Sequence, residues 1–490
     1  MSQGRCMAAQ SPRTPSSGRD AGWLMGADLL AVGLAFLGQI LLVNALIAEH
    51  YGWMVLAIDL YASLFLVVDL GLPTLLARDG ANAPHLVRPA VARTYRLQAL
   101  AAVPFVLLAL ALRPDRWLNM DAPAWLLVAA GLTAIAHIAS YAPRSALRAL
   151  GEARLEAVSK VVERSVTVAG YGVLVGVGST SATAFMGAFL LGACAGWLVA
   201  LVLMLRNAPV GQSPDTLTSL GEDWTSTKHL LFAALPFAIT LGALPYVVRL
   251  EKFLVAASGG AELAAVFHVA QLAWLAGLVV PAALRSALLP VLGHVRDQPA
   301  RYQRELHRAL DMCFGLVPYG LFGGYLLVAV LAPFAFPAAY LDGTYGASAV
   351  DLFAVLLAGW AATLLATPTY TSLMAGFRSW RFTQFIFAVL LLAALIGYGL
   401  IFGVATTNGA TLYAAALASS LSAGALLVLS WWMSGQRAFV AQRRDEWWLT
   451  ALGGSFIVIG LFTQTAWWVL GLPLFAFTPQ AWRALRSTLR

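Results

Sequence analysis

The sequence predicts an all-α polytopic membrane protein of about 14 transmembrane helices, arranged as two six-helix bundles followed by a C-terminal helix pair. Composition is the first observation: of 490 residues, 60% are hydrophobic and 11% are charged, and the mean hydropathy is +0.77. A soluble chain carries about 25% charged residues, so this one lacks the polar surface to dissolve. The second is length. The apolar residues come in runs of about 18 to 25, enough to cross about 30 Å of hydrocarbon at 1.5 Å per residue. Backbone groups in lipid must be satisfied internally, by helices or closed barrels, and barrel strands would show alternating segments of about ten residues. These runs are continuous, so they are helices. The third is the side-to-side alternation of basic residues described below.

Taken in order, residues 1–22 are rich in Ser, Pro and Arg with no apolar core. They read as a disordered cytoplasmic tail rather than a signal peptide, and the apolar run that follows is too long for one. Spans 1–6 fall at 24–47, 53–77, 96–113, 122–142, 157–178 and 183–205, forming a bundle over 23–205. The stretch 206–228 is the longest polar segment between helices and reads as a cytoplasmic linker. Spans 7–12 follow at 229–255, 261–293, 310–334, 349–374, 381–404 and 408–433, a second bundle over 229–433. A final pair at 447–464 and 466–480, within 434–490, is barely long enough to cross and is either two spans or one re-entrant hairpin. The stretches DLGLPTLLARDGANAPHLVRPAVARTYRLQ and PAALRSALLPVLGHVRDQPARYQRELHRAL echo each other, as a duplicated unit of parallel topology would.

Cytoplasmic loops are rich in Lys and Arg. With the N-terminus inside, 24 of the 31 basic residues fall on the inner side and only Arg113 and Arg116 on the outer. A wrong helix count would scramble that asymmetry, and it persists to the C-terminus, so both termini are expected in the cytoplasm. The net charge of +8 follows from basic loops facing anionic lipid, and no nucleic-acid partner is needed to explain it. Three scattered cysteines make neither a disulfide framework nor a metal cluster. No phosphate loop, metal-ligand spacing or Ser/His/Asp set is present, so no catalytic residue, metal or cofactor is expected, and ATP is not the direct fuel. The outer loops are short, which argues against a membrane glycan polymerase or ligase.

From Leu235 onward the chain reads LPFAITLGALPYVVRLEKFLVAASGGAELAAVFHVAQLAWLAGLVVPAALRSALLPVLG. This resembles the seventh and eighth helices of the lipid-linked oligosaccharide flippases, of the O-antigen and exopolysaccharide type, in the multidrug/oligosaccharidyl-lipid/polysaccharide (MOP) exporter superfamily. The shared pattern is a Leu-Pro start, an acidic residue late in span 7, a Gly-containing turn and a long helix ending in Leu-Pro. Glu251 stands where those proteins more usually have Asp, and the last Pro is Pro290. LFLVVDLGLPTLLAR (64–78) is similar to their second helix, and TYGASAVDLFAVLLAGWAATLLATPTYTSLMAGFRSW to their tenth. The resemblance implies two bundles around a cavity that opens alternately to each side and is lined by spans 1, 2, 7 and 8. It further implies a bacterial plasma (inner) membrane location and, as partners, other polysaccharide-assembly membrane proteins.

A charge at the centre of a spanning helix costs about 2.5–3.5 kcal/mol on insertion scales, so each needs a reason. Span 2 carries Asp59 and Asp69; span 7 carries Arg249, Glu251 and Lys252; span 8 carries His268 and Arg285. Arg249 and Lys252 share a helical face, with Glu251 about 200° around from Arg249. Arg249 and Arg285 are candidates to bind the pyrophosphate of a lipid-linked glycan, because guanidinium stays charged and forks onto phosphate oxygens. Glu251 and His268 join them as cavity candidates. The bland reading has Arg249 and Lys252 snorkelling to headgroups, Glu251 pairing across helices and the histidines, His137 included, as packing residues. Asp59 and Asp69 either bind H+ or Na+ to couple transport, or pair with Arg285 or cap neighbouring groups. Lys160 and Arg164 are inner-gate candidates, or with Glu156 and Glu163 simply open a helix; Glu156–Lys160 is an i,i+4 pair of the favoured orientation. The expected function is a flippase for a lipid-linked oligosaccharide. The alternatives are an ion-coupled exporter of small molecules on the same fold and, more remotely, the polymerase or ligase.

Overall fold

The computed structural model describes residues 17–209, 220, 222–295, 297–375 and 379–436, apart from 81–82, 113–117 and 119. The predicted final pair at 447–480, the C-terminal tail and most of the linker lie outside the described residues. The fold is all-helical: α1 (Ser17–Ala45), α2 (Ala48–Leu66), α3 (Leu72–Asp79), α4 (Val87–Leu112), α5 (Ala124–Ala149), α6 (Ala153–Gly176) and α7 (Ala182–Asn207) make the first half. The second half is α8 (Thr227–Gly277), α9 (Val279–His294), α10 (Pro299–Ala335), α11 (Ala349–Ala375), α12 (Ser379–Gly403) and α13 (Asn408–Ser434). Among the described residues, seven helical stretches are long and apolar enough to cross a membrane by length and composition. Ser181, Ser226 and Thr407 cap α7, α8 and α13 through their side-chain oxygens, each accepting an orphan N–H of the first turn.

Several boundaries differ from expectation, the first being α1, which begins at Ser17, inside the stretch 1–22 expected to be disordered. Span 2 is not one helix: Leu70 and Gly71 take left-handed φ of 56° and 68°, and with the 3-10 turn Val67–Asp69 they break it before the short α3. Polar residues before spans 3 and 9 are helical, so α4 begins at Val87 and α10 at Pro299, where Pro is suited to a first turn. Spans 7 and 8 run on as α8, because Gly260 absorbs the reversal at φ 82°, ψ −175° without a Cβ clash. That kink divides α8 into an outgoing arm, 227–259, and a returning arm, 261–277, which α9 continues past Leu278.

The chain ends of the helices define two faces of the molecule. One holds the α1–α2 turn and the Gly260 kink. The other holds α3, the α5–α6 turn and the start of α8, with Arg78, Arg88, Arg93, Arg148, Arg154 and Lys228, and is called the basic end here. At the α1–α2 end one apolar core joins the halves: Leu42, Leu46, Tyr51 and Met54 from α1, α2 and the turn between them share it with Val255, Ala261, Ala265 and Phe314. Towards the basic end the core divides. A first-half cluster of Leu72, Leu76, Leu86 and Val87 includes Trp224 and Leu230, while Leu288, Leu292, Leu306 and Leu310 form another.

The join at the α1–α2 end depends on backbone contact. A Cβ built on Gly52 of α2 would lie 1.9 Å from the Ala261 carbonyl oxygen, just past the kink. Asn44 of α1 adds a hydrogen bond from its amide to the Ala335 carbonyl of α10 at 2.8 Å, and Phe36 meets Phe336 edge-on at 6.3 Å. The halves are sealed at this end. Gly52→Val must push α2 off α8, and overpacking of this kind costs about 1–3 kcal/mol. We expect a lower melting temperature for the purified variant, with no comparable loss for Gly399→Ala, whose Cβ meets nothing within 4 Å.

Candidate functional site

Two polar clusters lie within the helices. The first is a seam between α2 and α8. Asp59 and Ser63 are four residues apart on α2 and share a face. Opposite them, Arg249 and Lys252 are three apart on the outgoing arm of α8. Lys252 Nζ donates to Asp59 Oδ2 at 2.5 Å, while Arg249 Nε lies 3.3 Å from Asp59 Oδ1 and its Nη1 donates to Ser63 Oγ at 3.2 Å. Lys252 also meets His268 Nδ1 at 2.7 Å. An ammonium has only donors, so that ring nitrogen accepts and carries no proton. His268 packs against the Tyr51 ring at 5.9 Å, and Tyr51 donates to Gln39 Oε1 at 2.7 Å.

The seam corrects several expectations. Lys252 does not snorkel, since its side chain is 2% exposed. Asp59 pairs with Arg249 and Lys252 rather than with Arg285. Arg249 keeps 28% of its side chain accessible, enough to meet a ligand from within its ion pair. Glu251 points the other way, as its helical angle requires. It is fully buried, with Oε1 at 3.5 Å from Ser422 Oγ of α13 and no hydrogen-bond partner for Oε2 among the described residues. Asp69 lies apart from the seam, buried, and accepts from Gln98 Nε2 at 3.3 Å.

The second cluster joins α5 to α6. His137, Tyr141, Arg144 and Arg148 recur at i, i+4, i+7 and i+11, so they form one stripe of α5. Facing them, α6 presents Glu156, Lys160, Glu163 and Thr167. Arg144 donates to Glu163 Oε2 at 2.8 Å and to Ser159 Oγ at 3.0 Å, and His137 Nε2 lies 3.2 Å from Glu163 Oε1. Arg148 holds both Glu156 oxygens. Lys160 lies 3.4 Å from Glu156 and Arg164 lies 3.6 Å from Glu163. The predicted i,i+4 pair is therefore present. Arg144 and Arg148 read in sequence as inner-loop residues, because α5 runs seven residues past its expected end at 142; the spacing 137/141/144/148 is the signal that marks them. Tyr141, on the same stripe, is 37% exposed.

Arg285 differs from both clusters. On α9 it lies four residues after Pro281, three before Leu288 and seven before Leu292, all of them buried. It thus belongs to the interior stripe of that helix while itself only half-buried. It makes no ion pair or hydrogen bond among the described residues. The structure therefore brings Arg249, Lys252, His268 and Asp59 together, and leaves Glu251, Asp69 and Arg285 at separate places. No group of three or more metal-ligating side chains occurs among the described residues.

Several solved structures of transporters share this architecture. The chain is similar to the lipid II flippase MurJ in an inward closed conformation, with TM-score 0.62 and 12% identity over 95% of this chain and 99% of that one. It is similar to a MOP superfamily transporter from Pyrococcus furiosus, described as having a binding pocket of reversed polarity, with TM-score 0.59 and 14% identity over 85% and 96%. A multidrug resistance MATE family transporter in an inward-facing conformation gives TM-score 0.59 and 15% identity over 84% and 96%. The chain has the MOP transporter fold. At these identities the likeness concerns the fold alone. No family model matches the sequence, and no curated protein matches it.

The seam yields a measurable coupling. Removing one partner of a buried ion pair leaves an uncompensated charge and costs about 3–5 kcal/mol, whereas replacing both with apolar groups is often neutral. We expect Lys252→Met and Asp59→Leu each to destabilise the protein strongly, and the double variant to recover most of the loss. Thermal unfolding in detergent reads the cycle, and additive losses would show that the pair is not coupled.

Proposed function

We propose that the chain is a flippase that moves a polyprenyl-pyrophosphate-linked oligosaccharide across a bacterial plasma membrane for polysaccharide biosynthesis. The two halves, 23–205 and 229–433, act as bundles that give access to each side in turn, with the basic end in the cytoplasm and in contact with anionic lipid. Sealed at the α1–α2 end, this conformation takes substrate from the cytoplasmic side. The observation that carries the reading is Arg285, a guanidinium on the interior stripe of α9 with no ion-pair or hydrogen-bond partner among the described residues. A cation held in that position without a partner is suited to an anionic ligand, and the phosphate oxygens of a carrier lipid match its fork. Arg249, with 28% of its side chain accessible, is the second binding candidate. Lys160 and Arg164 line the approach from the cytoplasm as the inner gate. Of the two coupling candidates, Asp69 suits H+ or Na+ better, because both oxygens of Asp59 are already engaged by cations.

The likeness to MATE transporters supports a second reading, an ion-coupled exporter of small molecules. The sign of the charge separates the two, since Arg249 and Arg285 repel a cationic compound. Under the flippase reading, deleting the protein makes a lipid-linked glycan accumulate in the inner leaflet. Hydrogen bonds to a charged group contribute about 1.5–3 kcal/mol, so Arg285→Ala should lower translocation about 10- to 100-fold, with partial rescue by Lys. Export of glycan at the normal rate by the Arg249→Ala, Arg285→Ala double variant would remove the phosphate role.

A further inference from the structure

Outside the charged clusters lies an apolar cleft of about 550 Å³, within the range of about 300–1,000 Å³ typical of ligand sites. It lies between α1 of the first half and α8, α10 and α11 of the second. Small residues make the room: Gly33 of α1, Gly277 of α8 and Gly324 of α10 all line it. Its floor is the Trp360 indole, fixed by its Nε1 donating to the Gly277 carbonyl at 2.9 Å and lying where a Cβ on Gly320 would be. Around the cleft, Leu29, Leu327 and Leu331 are 55%, 59% and 50% exposed. In a chain that spans a membrane, leucines exposed on this part of the helices face hydrocarbon, so the cleft opens to the bilayer.

The charge nearest in register is informative. Trp274, which lines the cleft, and Arg285 are eleven residues apart on the returning arm and its continuation, about three helical turns or 16 Å. They therefore share a face. An apolar slot and an unengaged guanidinium follow one another along one side of one helix, the tail and head positions of an anionic lipid.

We propose that this cleft is the binding site for the hydrocarbon chain of a phosphate-headed polyisoprenoid lipid, whose phosphate meets Arg285. The inference rests on the flippase reading and adds to it where the chain of the carrier is held. A chain in the cleft is covered by α1 on one side and by α10 and α11 on the other, so it straddles both halves of the protein while its phosphate stays toward the basic end. Gly33 has open space at its Cβ position, so a larger side chain there fills the cleft without pressing on a neighbour.

The test uses the full-length protein in nanodiscs and two probes, a polyisoprenyl phosphate and the corresponding polyisoprenol, each with a diazirine in the chain. We expect the phosphate probe to label peptides containing Leu29, Leu327 or Leu331. Gly33→Leu should lower that labelling at least ten-fold, and Gly399→Leu on the remote α12 should leave it unchanged. Arg285→Ala should bring phosphate labelling down to the level of the alcohol. Labelling that maps elsewhere in the unmodified protein, survives Gly33→Leu, or is equal for phosphate and alcohol overturns the proposal. Neither probe carries a sugar and no transport is required, so the two ideas fail separately. Cleft labelling without glycan accumulation in the deletion strain removes the glycan reading alone, and the converse removes the cleft alone.

Discussion

Hydrocarbon does not solvate charge, and that constraint organises this protein more than any packing preference does. Each ionised group inside the helices must find an opposite charge or reach water. Asp59, Lys252 and Arg249 meet the requirement by pairing across the junction of the two halves, Arg144 and Glu163 by pairing within the first half. Partners for a buried charge have to be fixed in direction, so the helices that carry them are fixed in register. The approach of α2 to α8 at Gly52 and Ala261 follows from the same demand: with backbones that close, the short Asp59 side chain reaches two cations on the facing helix.

The α5–α6 cluster shows the alternative arrangement. Four cations, Arg144, Arg148, Lys160 and Arg164, share two carboxylates, Glu156 and Glu163, so the group keeps an excess of positive charge towards the basic end. A Cβ on Gly196 of α7 would sit 2.7 Å from Glu163 Cβ, so α7 covers the carboxylate closely on its far side.

Much of this was legible in sequence, and the parts that were not have identifiable causes. Twelve apolar runs correspond to helices that the structure describes, because a span must be both long and continuous. The helical wheel of span 7 separated Glu251 from Arg249 and Lys252, and in the structure they do contact different helices. The choice of partners was not legible: Asp59 pairs with residues 190 and 193 positions away, and such long-range pairing is set by how the halves dock. The break at Leu70–Gly71 was missed because apolar residues continue through it, and a left-handed leucine leaves no mark in hydropathy. The stripe on α5 was missed because its arginines fell beyond the assumed end of the span.

The seam also bears on how the sealed end could separate. If it were wholly apolar, parting the helices would expose hydrocarbon at about 25 cal/mol per Å², with nothing in return. A buried ion pair is close to neutral, because its Coulomb attraction and its desolvation nearly cancel. Wetting the seam would cost the pairing and return the hydration of one carboxylate and two cations. Charge at this junction therefore fixes the register of the two halves without adding much to the energy needed to part them. Apolar residues at positions 59 and 252 could keep the join stable, but they would fix no register and would return nothing when the seam is wetted.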